Sequence, residues 1–225
     1  MQRIKQQQSG FTLVEIAIVL VIIGLLLGGV LKGQEMIENS RIKAVVNDMN
    51  GVSAAYNAYM DRYRAIPGDE TAPTLAARGW AGAGGGNANG VLQVAPGETF
   101  TNGGEQDVLW RALRASGLTT GNPAAPANAT GLPRAGTGGL LGVSVGPYSL
   151  VGPSVCVGGL STKQAAGIDS AVDGTLPANN IGNNIGSIRG DNGAANPLAP
   201  VAALPPGVAY NETNVTNAWT LCRPI

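Results

Sequence analysis

One apolar run near the N-terminus constrains this chain more than any other feature. From Phe11 to Leu31, 21 consecutive residues include a single charged side chain, Glu15. As an α-helix this run would be about 31 Å long, close to the bilayer core of about 30 Å. A helix satisfies its own backbone hydrogen bonds in lipid, so the run predicts a membrane-spanning helix.

Two ordinary interpretations of the run explain it incompletely. A secretory signal has a shorter apolar region of about 7–15 residues and an Ala-x-Ala-like cleavage site after it, which the stretch from Leu27 to Gly33 does not offer. A plain membrane anchor explains the length but not the acid inside it. A charge at the centre of a span costs about 2.5–3.5 kcal/mol, so Glu15 either has a function or extends to the headgroups.

The segment Gly10-Phe11-Thr12-Leu13-Val14-Glu15, preceded by a short polar leader with Arg3 and Lys5, resembles the processing site of type IV prepilins. The resemblance implies cleavage by a prepilin peptidase between Gly10 and Phe11, and methylation of the new N-terminus at Phe11. It further implies that Glu15 pairs with the terminal amine of a neighbouring subunit and is an assembly determinant. Such a pair would cancel charge in a medium of low dielectric constant and set the axial register of the subunits.

Four glycines distinguish this run from many type IV pilins. Lys32 stands where those pilins carry a proline, and the run is interrupted instead by Gly24, Gly28, Gly29 and Gly33. Each glycine weakens a helix by up to about 1 kcal/mol relative to alanine, which would let this zone unwind during assembly. Alternatively, the glycines let neighbouring helices approach closely. The residues leave both explanations open.

The helical pattern continues beyond the apolar run. Seven apolar or aromatic residues follow at alternating spacings of three and four, which predicts an amphipathic helix: Ile42, Val45, Met49, Val52, Tyr56, Tyr59 and Tyr63. We therefore expect one helix from about Phe11 to about Arg64, first apolar all round and then one-sided. Pilins share this layout, in which a C-terminal domain sits on the second half of the helix.

The composition changes near Ile66-Pro67-Gly68-Asp69. All 14 prolines and 28 of the 34 glycines follow residue 65. We predict a leader at 1–10, the N-terminal helix at 11–65 and an exported globular domain at 66–225. The fold class is α+β, with the long helix packed on a small antiparallel sheet. Within the domain we predict helices at 105–116 and 161–172, the second of which opens with the capping-box pattern Ser-x-x-Gln at Ser161 and Gln164. We predict strands at 140–145, 148–151, 155–158 and 218–222, and loops at 81–104, 119–139 and 174–207.

Cys156 and Cys222 are the two cysteines of the chain. They suffice for one disulfide if the domain meets an oxidising compartment, and two free buried thiols are the alternative. The pair is similar to the C-terminal disulfide of pilins, and such a bridge would stabilise the domain by about 4 kcal/mol.

No catalytic set is evident, and we predict that the chain is not an enzyme. Histidine, the commonest general base, is absent, and we predict no cofactor. An oxygen-rich region suggests calcium as the one metal to consider, although asparagine-rich turns explain its residues equally well: Asp169, Asp173, Asn179, Asn180, Asn183, Asn184 and Asp191. The formal net charge is zero, and no nucleic-acid partner is predicted.

The resemblance implies a structural subunit, major or minor, of a type IV pilus serving motility, adhesion or DNA uptake. The alternative is a pseudopilin of a type II secretion system, and a membrane-anchored binding module comes third. The implied partners are copies of the chain, other pilins, the prepilin peptidase and the pilus assembly machinery. The implied location is the inner membrane before assembly, and then a periplasmic or cell-surface filament.

Overall fold

A computed structural model describes residues 12–174, 184, 186–207, 210 and 218–225. It contains four α-helices within these residues: α1 Leu13–Tyr63, α2 Ala72–Ala77, α3 Gly104–Ala115 and α4 Thr162–Asp173. Short 3₁₀ turns lie at Pro96–Glu98 and Pro147–Ser149. The chain divides into two compact units, residues 1–40 and 41–225, so α1 contributes to both.

The second unit contains a four-stranded antiparallel sheet. Its strands are β1 Leu141–Val145, β2 Pro153–Leu160, β3 Arg189–Gly193 and β4 Ala218–Pro224, in the spatial order β1-β2-β4-β3. In the central pair, β2 and β4, Cys156 lies opposite Cys222. The α+β class predicted from the sequence, a long helix with a small antiparallel sheet, is confirmed.

The distal half of α1 packs into the core of this unit through the predicted stripe. Tyr59, Met49 and Val45 are fully buried, and they share one hydrophobic core with the inner faces of the strands. Gly167 on α4 allows close packing against this stripe, because a Cβ atom there would lie 2.4 Å from Cδ1 of Ile42. The 3–4 spacing in the sequence therefore identified the buried face of the helix correctly.

Two predicted helices are confirmed within one or two residues. α4 begins after Ser161, whose backbone N–H donates to Gln164 Oε1 at 3.0 Å while Ser161 Oγ accepts from the Gln164 N–H at 3.3 Å. This is the capping box expected from Ser-x-x-Gln. α3 buries Leu109, Trp110 and Leu113.

The strand predicted at 148–151 is wrong. Pro147–Ser149 is a 3₁₀ turn in which Tyr148 and Ser149 have φ angles of 52° and 57°. Strand residues require negative φ. The apolar residues of this stretch lie instead in the β1–β2 connection, which reverses the chain so that the two strands can pair.

β3 and α2 were missed for different reasons. β3 reads Arg-Gly-Asp-Asn-Gly, a sequence with no apolar alternation, and it is a strand because it pairs with β4 along five residues. It lies inside the predicted loop 174–207. α2 spans six residues and buries only Leu75, too short a pattern to reveal a helical period.

Candidate assembly segment

The first turn of α1 places Glu15 against Thr12. The backbone N–H and the hydroxyl of Thr12 donate to Glu15 Oε2 at 2.7 Å and 2.8 Å, and the Glu15 N–H points back to Thr12 Oγ1 at 3.3 Å. Because α1 begins at Leu13, Thr12 precedes the first helical residue and Glu15 is the third. This reciprocal arrangement is a capping box, which satisfies N–H groups that a helix start leaves unpaired.

This contact was not predicted from the sequence, although Thr-x-x-Glu before an apolar run is a recognisable capping signal. The carboxylate also lies at the positive end of the helix dipole, which favours an acid there. Glu15 therefore has a structural partner within its own chain, besides any partner that a neighbouring subunit supplies.

The apolar half of α1 is exposed along its length. It is long and apolar enough to cross a membrane, and its most apolar stretch has no buried residue. The large side chains from Leu13, which is 91% exposed, to Ile37 are all exposed. A surface of this size and composition is stable only when lipid or another apolar surface covers it.

The four glycines of the run lie within unbroken helix. A Cβ atom added at Gly24, Gly28, Gly29 or Gly33 would meet no atom within 4 Å. No contact among the described residues therefore requires glycine at these positions. At the end of the run, Lys32 pairs with Glu35 at 2.8 Å.

The predicted site residues fall into three groups. Gly10 and Phe11, the predicted cleavage and methylation residues, lie outside the described residues. Glu15 occupies the first turn of α1. Cys156 and Cys222 form a disulfide with both residues fully buried, which joins the neighbouring strands β2 and β4.

The oxygen-rich region near α4 is engaged in protein contacts. The Tyr210 hydroxyl donates to Asp169 Oδ2 at 2.5 Å, and the Ile188 N–H donates to Asp173 Oδ2 at 2.8 Å. The Asn184 side chain donates to the Pro205 carbonyl at 3.0 Å. Within the described part of the chain, no three acidic, cysteine or histidine residues are grouped to hold a metal. Asn179, Asn180 and Asn183 lie outside that part.

A buried polar cluster at the end of α1 also serves the fold. Arg78 donates to Glu70 Oε2 at 2.6 Å and lies 4.6 Å from the ring centre of Tyr63. The Tyr59 hydroxyl donates to the same Glu70 carboxylate. Burial is the main cause that raises the pKa of Tyr59 above its ordinary range, and the hydrogen bond to Glu70 raises it further. The cluster therefore joins α1 to the segment after Pro67.

A comparison with known families bears on the N-terminal segment. A family model for the prokaryotic N-terminal methylation motif matches residues 5–31. No curated protein matches the chain. The matched residues contain the Gly10–Glu15 segment, the capping box and most of the exposed apolar surface of α1. This chain therefore carries the prepilin-type signature of type IV pilins and pseudopilins, which points to a structural subunit.

Proposed function

We propose that this chain is a structural subunit of a type IV pilus, cut between Gly10 and Phe11, methylated at Phe11 and polymerised through α1. The observation that carries the proposal is the exposed apolar surface from Leu13 to Ile37, which lies in and directly after the prepilin-type segment. Cleavage at that point would leave this surface at the start of the mature subunit.

The same surface suits two environments in turn. In the inner membrane, lipid covers α1 before assembly. In a filament, the like helices of other subunits cover it. Lipid is as apolar as a leucine side chain, so the transfer depends on close packing and on polar contacts between helices rather than on hydrophobicity alone.

Glu15 would supply the polar contact. Its carboxylate accepts two hydrogen bonds from Thr12, and an ionised carboxylate has about four acceptor positions. The cationic amine of a processed Phe11 on a neighbouring subunit would add a charge-assisted bond, which is roughly twice as strong as a neutral one. In this arrangement the capping box holds the carboxylate in place and the neighbour neutralises it.

Glu15→Gln is the variant that separates these two roles. Glutamine is also a good third residue in a capping box, so the helix start should survive while the charge is lost. We expect incorporation into filaments to fall about tenfold or more, because the charge-assisted bond to the neighbouring amine is lost, with N-terminal cleavage retained. The measurement is the ratio of assembled to membrane-bound subunit in the host, with mass spectrometry of the mature N-terminus.

Thr12→Val is the matched control. It removes the hydroxyl but keeps the Thr12 backbone N–H and the Glu15 charge, so we expect a smaller loss of assembly than in Glu15→Gln. Normal assembly of Glu15→Gln together with failure of Thr12→Val would contradict the intersubunit pair. It would leave helix capping as the role of Glu15.

The alternative is a pseudopilin of a type II secretion system, because the signature at residues 5–31 is common to both classes. Deletion of the gene separates the two. Loss of surface filaments with normal protein export supports the pilus, whereas loss of export without loss of surface filaments supports the secretion system. An N-terminus that still carries Met1–Gly10 in the host would contradict both.

A further inference from the structure

Asparagine–glycine dipeptides in this chain carry a chemistry of their own. Because glycine has no Cβ atom, its backbone nitrogen can approach the side-chain carbonyl carbon of the preceding asparagine. Attack of the nitrogen on this carbon closes a five-membered succinimide ring and expels ammonia, provided that the two atoms come within about 3–3.5 Å in an aligned geometry. The dipeptide occurs four times in the chain: Asn50-Gly51, Asn89-Gly90, Asn102-Gly103 and Asn192-Gly193.

Two of these pairs are held inside secondary structure. Asn50-Gly51 lies in α1, where backbone nitrogens donate to carbonyls one turn earlier, and Asn50 Oδ1 also accepts from the Arg223 guanidinium at 2.5 Å. Asn192-Gly193 lies in β3, where it is paired with Trp219 and Ala218 of β4. Both backbones are fixed by the hydrogen bonds of their elements, so either ring can close only after local unfolding.

The pair Asn89-Gly90 is held by a buried acid. The Gly90 N–H, which contains the attacking nitrogen, donates to Asp69 Oδ2 at 2.8 Å, and the Asn89 N–H donates to Asp69 Oδ1 at 3.0 Å. Asp69 is itself buried. The Asn89 side-chain oxygen accepts from the Val91 N–H at 3.0 Å. The nitrogen and the side chain of this pair are therefore both engaged in other contacts.

Asn102-Gly103 has none of these restraints. The pair lies in the exposed turn before α3, and among the described residues neither the Asn102 side chain nor the Gly103 N–H has a hydrogen-bond partner. A Cβ atom at Gly103 would meet no atom within 4 Å, and the φ angle of 121° is one that glycine adopts readily. The turn therefore leaves room both for the ring and for water.

We propose that Asn102-Gly103 is a self-modification site of the folded chain. The Gly103 nitrogen forms a bond to the side-chain carbonyl carbon of Asn102, the carbon–nitrogen bond of the side-chain amide breaks, and ammonia leaves with the proton of the Gly103 N–H. Water then opens the ring at either carbonyl and gives aspartate or isoaspartate, without oxidation or reduction. The inference does not depend on the proposed function.

The modification changes the charge in front of α3. Gly103 is the N-cap of α3 and has no side chain to cap it, and the helix dipole favours a carboxylate at this end. The Gln106 side chain donates to the Thr99 carbonyl at 2.6 Å across the same turn, which ties α3 to the preceding segment. We therefore expect the modified chain to keep α3. Both products carry one carboxylate more than the unmodified chain, whose formal net charge is zero.

The test incubates the purified full chain in detergent micelles at mildly alkaline pH, which promotes loss of the amide proton, and follows the four pairs by peptide mass spectrometry. We expect aspartate and isoaspartate to accumulate at residue 102 at least about tenfold faster than at residues 50, 89 and 192. In denaturant the four pairs should react at similar rates, because the restraints are gone. Equal rates in the native chain, or an Asn102 that reacts only in denaturant, would overturn the proposal.

Asn102→Gln gives a second, independent measurement. Glutamine carries its amide one carbon further from the backbone, so the ring is larger and closes more slowly, while the exposed side chain stays polar. Isoelectric focusing of the incubated wild type should show a band with one added negative charge. Asn102→Gln should lack this band, and Asn192→Gln, the matched control, should keep it. Persistence of the band in Asn102→Gln would overturn the assignment to Asn102.

Discussion

Asp169 is a buried acid that holds a distant part of the chain against α4. Its side chain is 1% exposed and accepts a 2.5 Å hydrogen bond from Tyr210, whose ring lies 4.8 Å from that of Trp219. Burial raises the pKa of Asp169 to about 6, although the bond from Tyr210 acts in the opposite direction, and the nearby Asp173 adds to the rise. The folded chain therefore binds this proton more tightly than the unfolded chain does.

This shift predicts that Asp169 weakens the fold as the pH rises. Its contribution is most favourable below the unfolded pKa of about 4 and is lost as the pH rises through about 6. Asp169→Asn keeps an acceptor for Tyr210 and removes the charge. Between pH 4 and pH 7.5, the ionisation of Asp169 should lower the free energy of unfolding of the wild type. We expect this fall to be smaller in the variant by up to about 3 kcal/mol. Urea unfolding of the full chain at several pH values measures the difference.

Asp61→Asn, which changes an exposed acid on α1, is the control for general charge effects. Its stability should follow the wild type across the same pH range. Parallel pH profiles for Asp169→Asn and the wild type would contradict the assignment of the buried proton to Asp169.

Among the elements, the central strands β2 and β4 are linked both by hydrogen bonds and by a covalent bond. Cys156 and Cys222 are paired in the register of the two strands and are separated by 66 residues in sequence. The chain between them contains α4 and β3. The bridge therefore constrains the unfolded chain between Cys156 and Cys222. This segment includes β3, whose sequence has no apolar alternation.

Replacing both cysteines with alanine should lower the free energy of unfolding by about 4 kcal/mol, because the closed loop of the unfolded chain is long. Denaturant unfolding of the double variant and the wild type, both without reductant, measures the loss. Alkylation of the native wild-type chain should give no mass shift. Equal stabilities, or two alkylated thiols in the native chain, would contradict a structural role for the bridge.

At the scale of the whole molecule, the two compact units depend on different surroundings. All Trp and Tyr residues lie in residues 41–225, where they contribute to a packed core. The most apolar stretch of α1, in contrast, contains no buried residue. Helix in an apolar solvent is stabilised by its own hydrogen bonds, and a globular core is stabilised by packing.

We therefore expect two separate responses when the full chain is heated in detergent micelles. The near-ultraviolet circular dichroism of the aromatic residues should disappear in one transition, and part of the helical far-ultraviolet signal should persist above it. The double cysteine variant should lower the temperature of that transition without changing the residual helical signal. Simultaneous loss of both signals in a single step would contradict the independence of the two units.

The sequence by itself determined the N-terminal half of α1, the buried stripe of its distal half and the α+β class. It also determined the capping boxes of α1 and α4, although only the capping box of α4 was predicted. These features depend on residues within a turn or two of one another. An apolar surrounding selects apolar residues all along a helix, and the helical repeat places its buried residues at regular spacings. A short window of sequence is therefore sufficient to predict such a segment.

The tertiary structure alone decided the features that depend on partners far away in the chain. Arg189–Gly193 is a strand because β4 offers unpaired backbone groups beside it, and Tyr148 and Ser149 form a turn because two strands must meet. Asp169 is buried because Tyr210 reaches it, and Val151 is exposed because its neighbours fill the core. Each outcome is set by packing and hydrogen bonding between distant segments, which no short window of sequence contains.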